Sequence, residues 1–306
     1  MSQVETSDPP RLADTRKTTG PEVYEGVWAE VRARISAEIA NGETSLSRIL
    51  RKVWSGWLER SGEPSQGLAY GRRVQLPSAA LLGACDGLRE YAALSACRPD
   101  TSLVVEIGAG WGHGLLRLWL AGGPRDAEYW ALEPTSSGRS CVETLAALEP
   151  ALRLSSAPFD YLEPDFGVLP RNNRHVLVTT WHSIEQIKLL PREAITQLFD
   201  LGDAVTVVHF EPVGWQMRPD DTEIASRRQH STQHDYNENL WPILTELHDA
   251  GEIRIVRAEP DLIAHKVKRG SSLIVWERGR DGLQPTAPRL TPAAGAAISE
   301  RQSPRG

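Results

Sequence analysis

The sequence predicts an α/β protein: a doubly wound, mostly parallel seven-stranded sheet with an antiparallel last strand, preceded by an N-terminal helical cap. Three observations predict it. From Leu103 onward short apolar runs alternate with helix-period segments, the rhythm of a parallel sheet covered on both faces. Four glycines crowd into seven positions of V-V-E-I-G-A-G-W-G-H-G, residues 104–114, directly after the first of those runs. An open α/β sheet meets its ligand at such strand-to-helix turns. The last two apolar runs are joined by loop rather than helix, which makes them a hairpin.

The elements follow in chain order. Residues 1–20 are polar with no period and read as a disordered tail. Tyr24, Trp28, Val31, Ile35 and Ile39 recur at spacings of three and four, one face of a helix that Asn41-Gly42 ends. Leu46, Ile49, Leu50, Val53, Trp54 and Trp57 mark a second helix. After a Gly/Pro/Ser break at 62–67, Pro77-Ser78 opens a third that runs to about Ala96. Residues 21–98 are therefore expected to be the cap or lid. Residues 99–278 form the main domain, with strands at Leu103–Ile107, Tyr129–Leu132, Leu152–Leu154, His175–Thr180, Ala204–Phe210, Ile253–Ala258 and Ser272–Trp276. Helices are expected at Gly112–Leu120, Ser137–Leu148, Ser183–Phe199 (interrupted near Pro191) and Asn237–Ala250. Residues 214–250 read as an insertion over the pocket, and 279–306 as a second disordered tail.

A net charge of −6 and only short basic pairs, Arg72-Arg73 and Arg227-Arg228, argue against a nucleic-acid partner. The start has no basic stretch leading into an apolar one, and no apolar run reaches spanning length. The expectation is a cytoplasmic protein without membrane association, with the N-terminal helices a candidate homodimer surface. Cys85, Cys97 and Cys141 form no C-x-x-C pair and leave an odd thiol, so they read as core residues.

Gly108, Gly110 and Gly112 permit a tight turn and let a ligand lie against bare backbone. A dinucleotide turn wants G-x-G-x-x-G, with pyrophosphate at the helix N-terminus. Here the third glycine of that pattern falls on His113, and Glu106 would repel phosphate. E-x-G-x-G-x-G after a buried strand resembles the first motif of class I S-adenosylmethionine-dependent methyltransferases. Glu133, closing the second strand in A-L-E-P, matches the acid with which that family holds both ribose hydroxyls. The resemblance covers roughly residues 100–278 and implies S-adenosyl-L-methionine held by Glu106, Gly108, Ala109, Gly110, Gly112, Glu133, Pro134, Phe159, Asp160, Thr180 and Trp181. It implies methyl transfer to an O or N atom of a small molecule. The sequence departs from the family after the third strand, where Asp160 falls late for an adenine contact. T-T-W-H-S-I-E-Q-I after the fourth strand has no N-P-P-Y or D-P-P-Y tetrad. A nicotinamide-dependent oxidoreductase and a non-catalytic binding module stay open as alternatives.

Methyl transfer needs an aligned nucleophile and, for some acceptors, a base. The carboxyl ends of the fourth and fifth strands supply His182, His209 and Glu211 as catalytic candidates, His182 first because a histidine titrates near neutrality. Glu185, three residues after His182, Glu211, Tyr70, Tyr236 and Asn237 are candidate substrate contacts. The acids Glu185, Glu211, Asp220 and Asp221 point to a cationic substrate. His230 and His234 have metal-ligand spacing but lack the acid of H-E-x-x-H, so no metal is expected.

Overall fold

The computed structural model describes residues 20–58, 64–171, 173–218, 225–264, 266–267 and 270–279. Of the two expected tails only Gly20 and Gly279 are among them, and Asp220 and Asp221 lie outside the described residues. The chain is mixed α/β around one nine-stranded sheet of order β2-β1-β8-β9-β7-β6-β3-β4-β5. The strands β3 (Thr101–Ile107), β4 (Glu128–Leu132), β5 (Leu154–Ala157), β6 (Asn173–Trp181) and β7 (Gly202–Glu211) run parallel. Strand β9 (Ser271–Gly279) is antiparallel to both β7 and β8 (Arg254–Ala264).

The seven expected strands are present, but two more extend the sheet. Pro64–Ala69 (β1) and Arg72–Pro77 (β2) pair as a hairpin, and β1 adds to the β8 edge. The sequence predicts a break here because Pro, Ser and Gly mark turns. Tyr70 and Gly71 both have positive φ, 51° and 74°, which is the two-residue loop whose twist suits a hairpin. Tyr70 carries no asparagine-like signal for that turn. The expected helix over Ser183–Phe199 is another correction. That stretch holds a 3-10 turn at Ile184–Gln186, a one-turn helix α6 (Glu193–Thr196) and a further 3-10 turn at Gln197–Asp200. The third expected strand sits two residues later than its apolar pattern, because β5 registers Leu154 against Tyr129.

Strand alternation sends side chains to two apolar layers. Val104, Ala131, Leu177 and Val208 join residues of α1 (Pro21–Ala40), α2 (Leu46–Leu58), α3 (Ser78–Ala96), α4 (His113–Leu120) and α5 (Ser136–Ala146). Leu103, Val105, Ile107, Val176 and Val178 face the other layer with Leu240, Leu244 and Leu247 of α9 (Leu240–Asp249). The N-terminal helices are thus part of a core layer. Val31 and Ile35 of α1 are buried within the chain, so that apolar face is spent internally. The three cysteines are free, and burial pushes the Cys85 and Cys141 thiols up to about 12.

In the expected insertion, α7 (Gly214–Met217) and α8 (Ala225–Gln233) precede α9. Arg218 and Arg227 both pair with the buried Asp261 carboxylate at an irregularity of β8. This ties the insertion to β8. Among the described residues no helix is long and apolar enough to cross a membrane.

Candidate functional site

The turn after β3 sits where the strand order changes direction, with β6 on one side and β4 on the other. Gly108, Gly110 and Gly112 have φ of 72°, 55° and 79°, a region that side chains with a Cβ enter at a cost. Each also has a close neighbour where a Cβ would point. At Gly108 it would overlap Ser183; at Gly110 it would lie 2.8 Å from the Trp28 ring; at Gly112 it would lie 2.8 Å from Val142. Gly114 faces the Arg89 guanidinium and the Glu106 carboxylate. Protein atoms therefore meet all four glycines.

Glu106 is 4% exposed. It accepts from Leu115 N–H at 3.0 Å and pairs with the buried Arg89 at 3.6 Å. Burial raises its pKa, and the guanidinium pulls it back. This corrects one expectation. The charge of Glu106 is neutralised from behind by Arg89, so phosphate repulsion is no longer the reason to set a dinucleotide aside. The geometric reason is different: Glu106 occupies Leu115 N–H in the first turn of α4, where pyrophosphate would bind. His113, standing in the dinucleotide pattern's glycine position, is held between Trp54 and Trp111, with ring centroids 4.6 and 4.8 Å away. Burial keeps that imidazole neutral. A cavity of about 10 Å³ beside Arg89, Glu106, Thr180 and Trp181 has room for about one water.

Glu133 ends β4 as the sequence placed it. One carboxylate oxygen accepts from Gly110 N–H at 2.8 Å, and the other from Thr135 N–H at 3.1 Å and from its hydroxyl. A carboxylate offers about four acceptor positions, so three are in use. The carboxylate and the bare rim of the β3 turn are thus adjacent, as a ribose diol would require. The neighbour that shares this space is α1. Trp28 lies over Gly110, and Glu25 accepts from Ser136 N–H at 2.8 Å and Ser137 N–H at 2.9 Å, at the start of α5. Ser137 Oγ donates to the Glu25 backbone carbonyl at 2.7 Å. Helix α1 is a cover docked on the crevice.

The remaining cofactor candidates divide. Ala109 is buried in the turn, Pro134 is exposed on its rim, and Phe159 is buried against Tyr161 and Phe166. Asp160 is exposed, with its carboxylate accepting from Leu162 N–H at 2.8 Å in a local turn. Thr180 is 2% exposed, and its hydroxyl is bonded to His209 Nδ1 at 2.9 Å. Trp181 lies under the Arg89 guanidinium, 3.8 Å from the ring centroid.

Of the catalytic and substrate candidates, His182 alone combines partial exposure with paired ring nitrogens at the strand ends. Its φ is 50°, unusual for a residue with a Cβ and a form of strain that gathers at functional turns. Its Nδ1 is 3.3 Å from Glu185 Oε2, and its Nε2 is 2.7 Å from Ser271 Oγ. The other Glu185 oxygen accepts from Gln186 Nε2 at 3.1 Å. His209 is fully buried, with Thr180 on Nδ1 and Trp276 Nε1–H donating to Nε2 at 3.0 Å. Both nitrogens are taken, and burial drives its pKa down to about 3, so it is a core histidine. Glu211 is fully buried and accepts from the backbone N–H groups of Ser183, Ile184 and Glu185 at 3.1–3.3 Å. It shapes the turn that carries His182. Asn237 pins the start of α9: its Oδ1 accepts from Leu240 N–H at 2.8 Å, and its amide donates to Ile187 O at 2.9 Å.

Tyr70 is 71% exposed at the hairpin loop, away from the β3 turn. Tyr236 is buried beside His230 and His234, whose rings are 4.1 Å apart. Of the four acids behind the cationic-substrate expectation, the two described ones, Glu185 and Glu211, both have protein partners. Ser183, Ser271, Trp28 and Arg89 were missed. Trp28 and Arg89 sit on helices whose apolar period hid them, and an isolated serine carries no spacing signal.

No family model matches the chain, and no curated protein matches it. Solved structures are similar in chain trace. A geranyl diphosphate methyltransferase in complex with GPP and sinefungin is 9% identical, with 66% of this chain and 78% of that one covered and a TM-score of 0.43. A magnesium protoporphyrin IX methyltransferase from Synechocystis PCC 6803 with bound SAH is 15% identical over 65% and 82%, TM-score 0.41. A putative RNA methyltransferase from Pyrococcus horikoshii is 14% identical over 69% and 88%, TM-score 0.37. Likeness at this level leaves the functional reading to the geometry of the site.

Proposed function

We propose that the chain binds S-adenosyl-L-methionine at the carboxyl ends of β3, β4 and β5 and transfers its methyl group to an O or N atom of a small molecule. The carrying observation is the Glu133 carboxylate at the end of β4, hydrogen-bonded to Gly110 N–H of the glycine turn after β3. Glu133 would take the ribose hydroxyls, and the Gly108–Gly110 backbone would lie along the cofactor. The cofactor supplies an electrophilic methyl group. The protein's own residues align the acceptor and exclude water, and His182 is the group able to take a proton.

Calorimetry with S-adenosylhomocysteine tests this reading. Binding in the micromolar range is expected, and no heat at millimolar ligand would overturn it. Replacing Glu133 with alanine is expected to weaken binding at least tenfold, since the one charge-assisted hydrogen bond its free acceptor position can make is lost at about 1.5–3 kcal/mol. Unchanged affinity would place the ligand elsewhere. One observation favours a second reading, a non-catalytic module. Trp28 already covers Gly110, and Glu133 is already largely satisfied. The same titration separates the two readings.

A further inference from the structure

The turn after β6 holds His182 between a hydrogen bond to the Ser271 hydroxyl and the Glu185 carboxylate at ion-pair distance, 3.3 Å from Nδ1, and cofactor binding does not use this arrangement. Glu185 and Ser271 flank His182, each 3–4% exposed, while the histidine side chain is about a quarter exposed. Glu185 comes from the 3-10 turn that Glu211 shapes, and Ser271 opens β9. The two partners thus reach His182 from separate parts of the chain. An ionised carboxylate only accepts hydrogen bonds, so the ring proton belongs on Nδ1, facing Glu185. Nε2 then carries the lone pair, and the hydroxyl at 2.7 Å donates to it. Among the described residues, the charged groups around the ring include Glu185 and, on β7, Glu211. Past Ser271, Asp261 packs against Gly270 and is held by Arg218 and Arg227.

We propose that the methyl acceptor is a hydroxyl compound whose O–H displaces the Ser271 hydroxyl from His182 Nε2, with Glu185 and Ser271 acting as positioning residues. This rests on the methyl-transfer reading. In the step, the acceptor oxygen bonds to the methyl carbon, and the electron pair of the broken carbon–sulfur bond stays on sulfur. The acceptor's proton goes to Nε2, so the positive charge ends on an imidazolium beside Glu185 and Glu211. An ammonium acceptor is disfavoured because both carboxylates are already engaged, by the imidazole and by backbone N–H groups.

The test is nitrogen-15 NMR of histidine-labelled full-length protein saturated with S-adenosylhomocysteine. The expected His182 tautomer is Nδ1–H, assigned with the variant His182→Asn, since asparagine tolerates the left-handed backbone. Ser271→Ala is expected to shift the Nε2 resonance and leave Nδ1 protonated. Glu185→Ala is expected to move the proton to Nε2. A 4-nitrophenol titration should then shift Nε2, while the same concentration of 4-nitroaniline should not. An Nε2–H tautomer in the parent protein, an Nε2 signal indifferent to Ser271→Ala, or equal response or silence with both arenes would each overturn the proposal. Absence of S-adenosylhomocysteine binding would instead remove the methyl-transfer reading, and the free-protein tautomer is scored independently of it.

Discussion

Two turns at the carboxyl end of the sheet solve the same backbone problem in opposite ways. After β3 the left-handed positions are glycines, and protein packs against each. After β6 the left-handed position is His182, and the strain is carried by a side chain with partners on both ring nitrogens. The first turn is built for close approach, and the second for holding a titratable group in place. They also interlock. Ser183 of the second turn packs on Gly108 of the first, and its hydroxyl donates to Ile107 O at 2.8 Å. A change that forces the turns apart should therefore cost more than one that alters either alone.

Gly108→Val is the severest such change. It adds a branched side chain at φ 72° and against Ser183. Strain of about 1–3 kcal/mol and overpacking of about 1–3 kcal/mol combine. Urea unfolding should show a loss of about 3 kcal/mol or more. Stability within about 0.5 kcal/mol of the parent would mean that the turns are not coupled as described.

The glycine turn was legible in sequence because positive φ and close approach both select glycine, and Glu133 was legible because it ends a strong apolar run. What fills the glycine turn was not legible. The neighbours of Gly108, Gly110 and Gly112 come from residues 183, 28 and 142, and no local pattern encodes such distant pairings. The β6 turn was half legible. His182 stood out by its type, whereas Ser271 is brought to it by strand pairing 89 positions away. Glu211 misled for a physical reason: a carboxylate at a strand end looks the same in sequence whether it faces a ligand or caps backbone N–H groups. The β1–β2 hairpin was lost because Pro64 and Gly67 of β1 are strand-weakening residues, tolerated here because β8 pairs with β1 only at Leu68 and Ala69.

His209 sharpens the contrast with His182, since it sits at the same strand ends but with no exposure. Its folded pKa of about 3 lies below the ordinary 6.5. Below pH 6.5 the unfolded chain takes up this proton and the folded one does not, so stability falls as pH drops from 6.5 towards 3. His209→Gln keeps an acceptor for the Trp276 N–H and does not titrate. Its stability should fall less steeply over that window, by up to about 1.4 kcal/mol per pH unit. Stability measured by urea unfolding at pH 6.5, 5.5 and 4.5 checks this. Parallel slopes for parent and variant would mean that His209 is protonated in the fold.

The smallest expected effect concerns the cover over the first turn. Trp28 lies 2.8 Å from where a Gly110 Cβ would be, and Glu25 holds α1 to the start of α5. If the cofactor's ribose is to reach Glu133, this indole must yield, and the affinity measured is reduced by the fraction of molecules with α1 closed. Trp28→Ala removes the competing group while Val31 and Ile35 keep the helix docked. S-adenosylhomocysteine should then bind about fivefold tighter. Weaker binding would make Trp28 a wall of the occupied site instead of its rival. The β3 turn would then be finished around its ligand, as the β6 turn is finished around its histidine, and the contrast between them would narrow to which residue carries the strain.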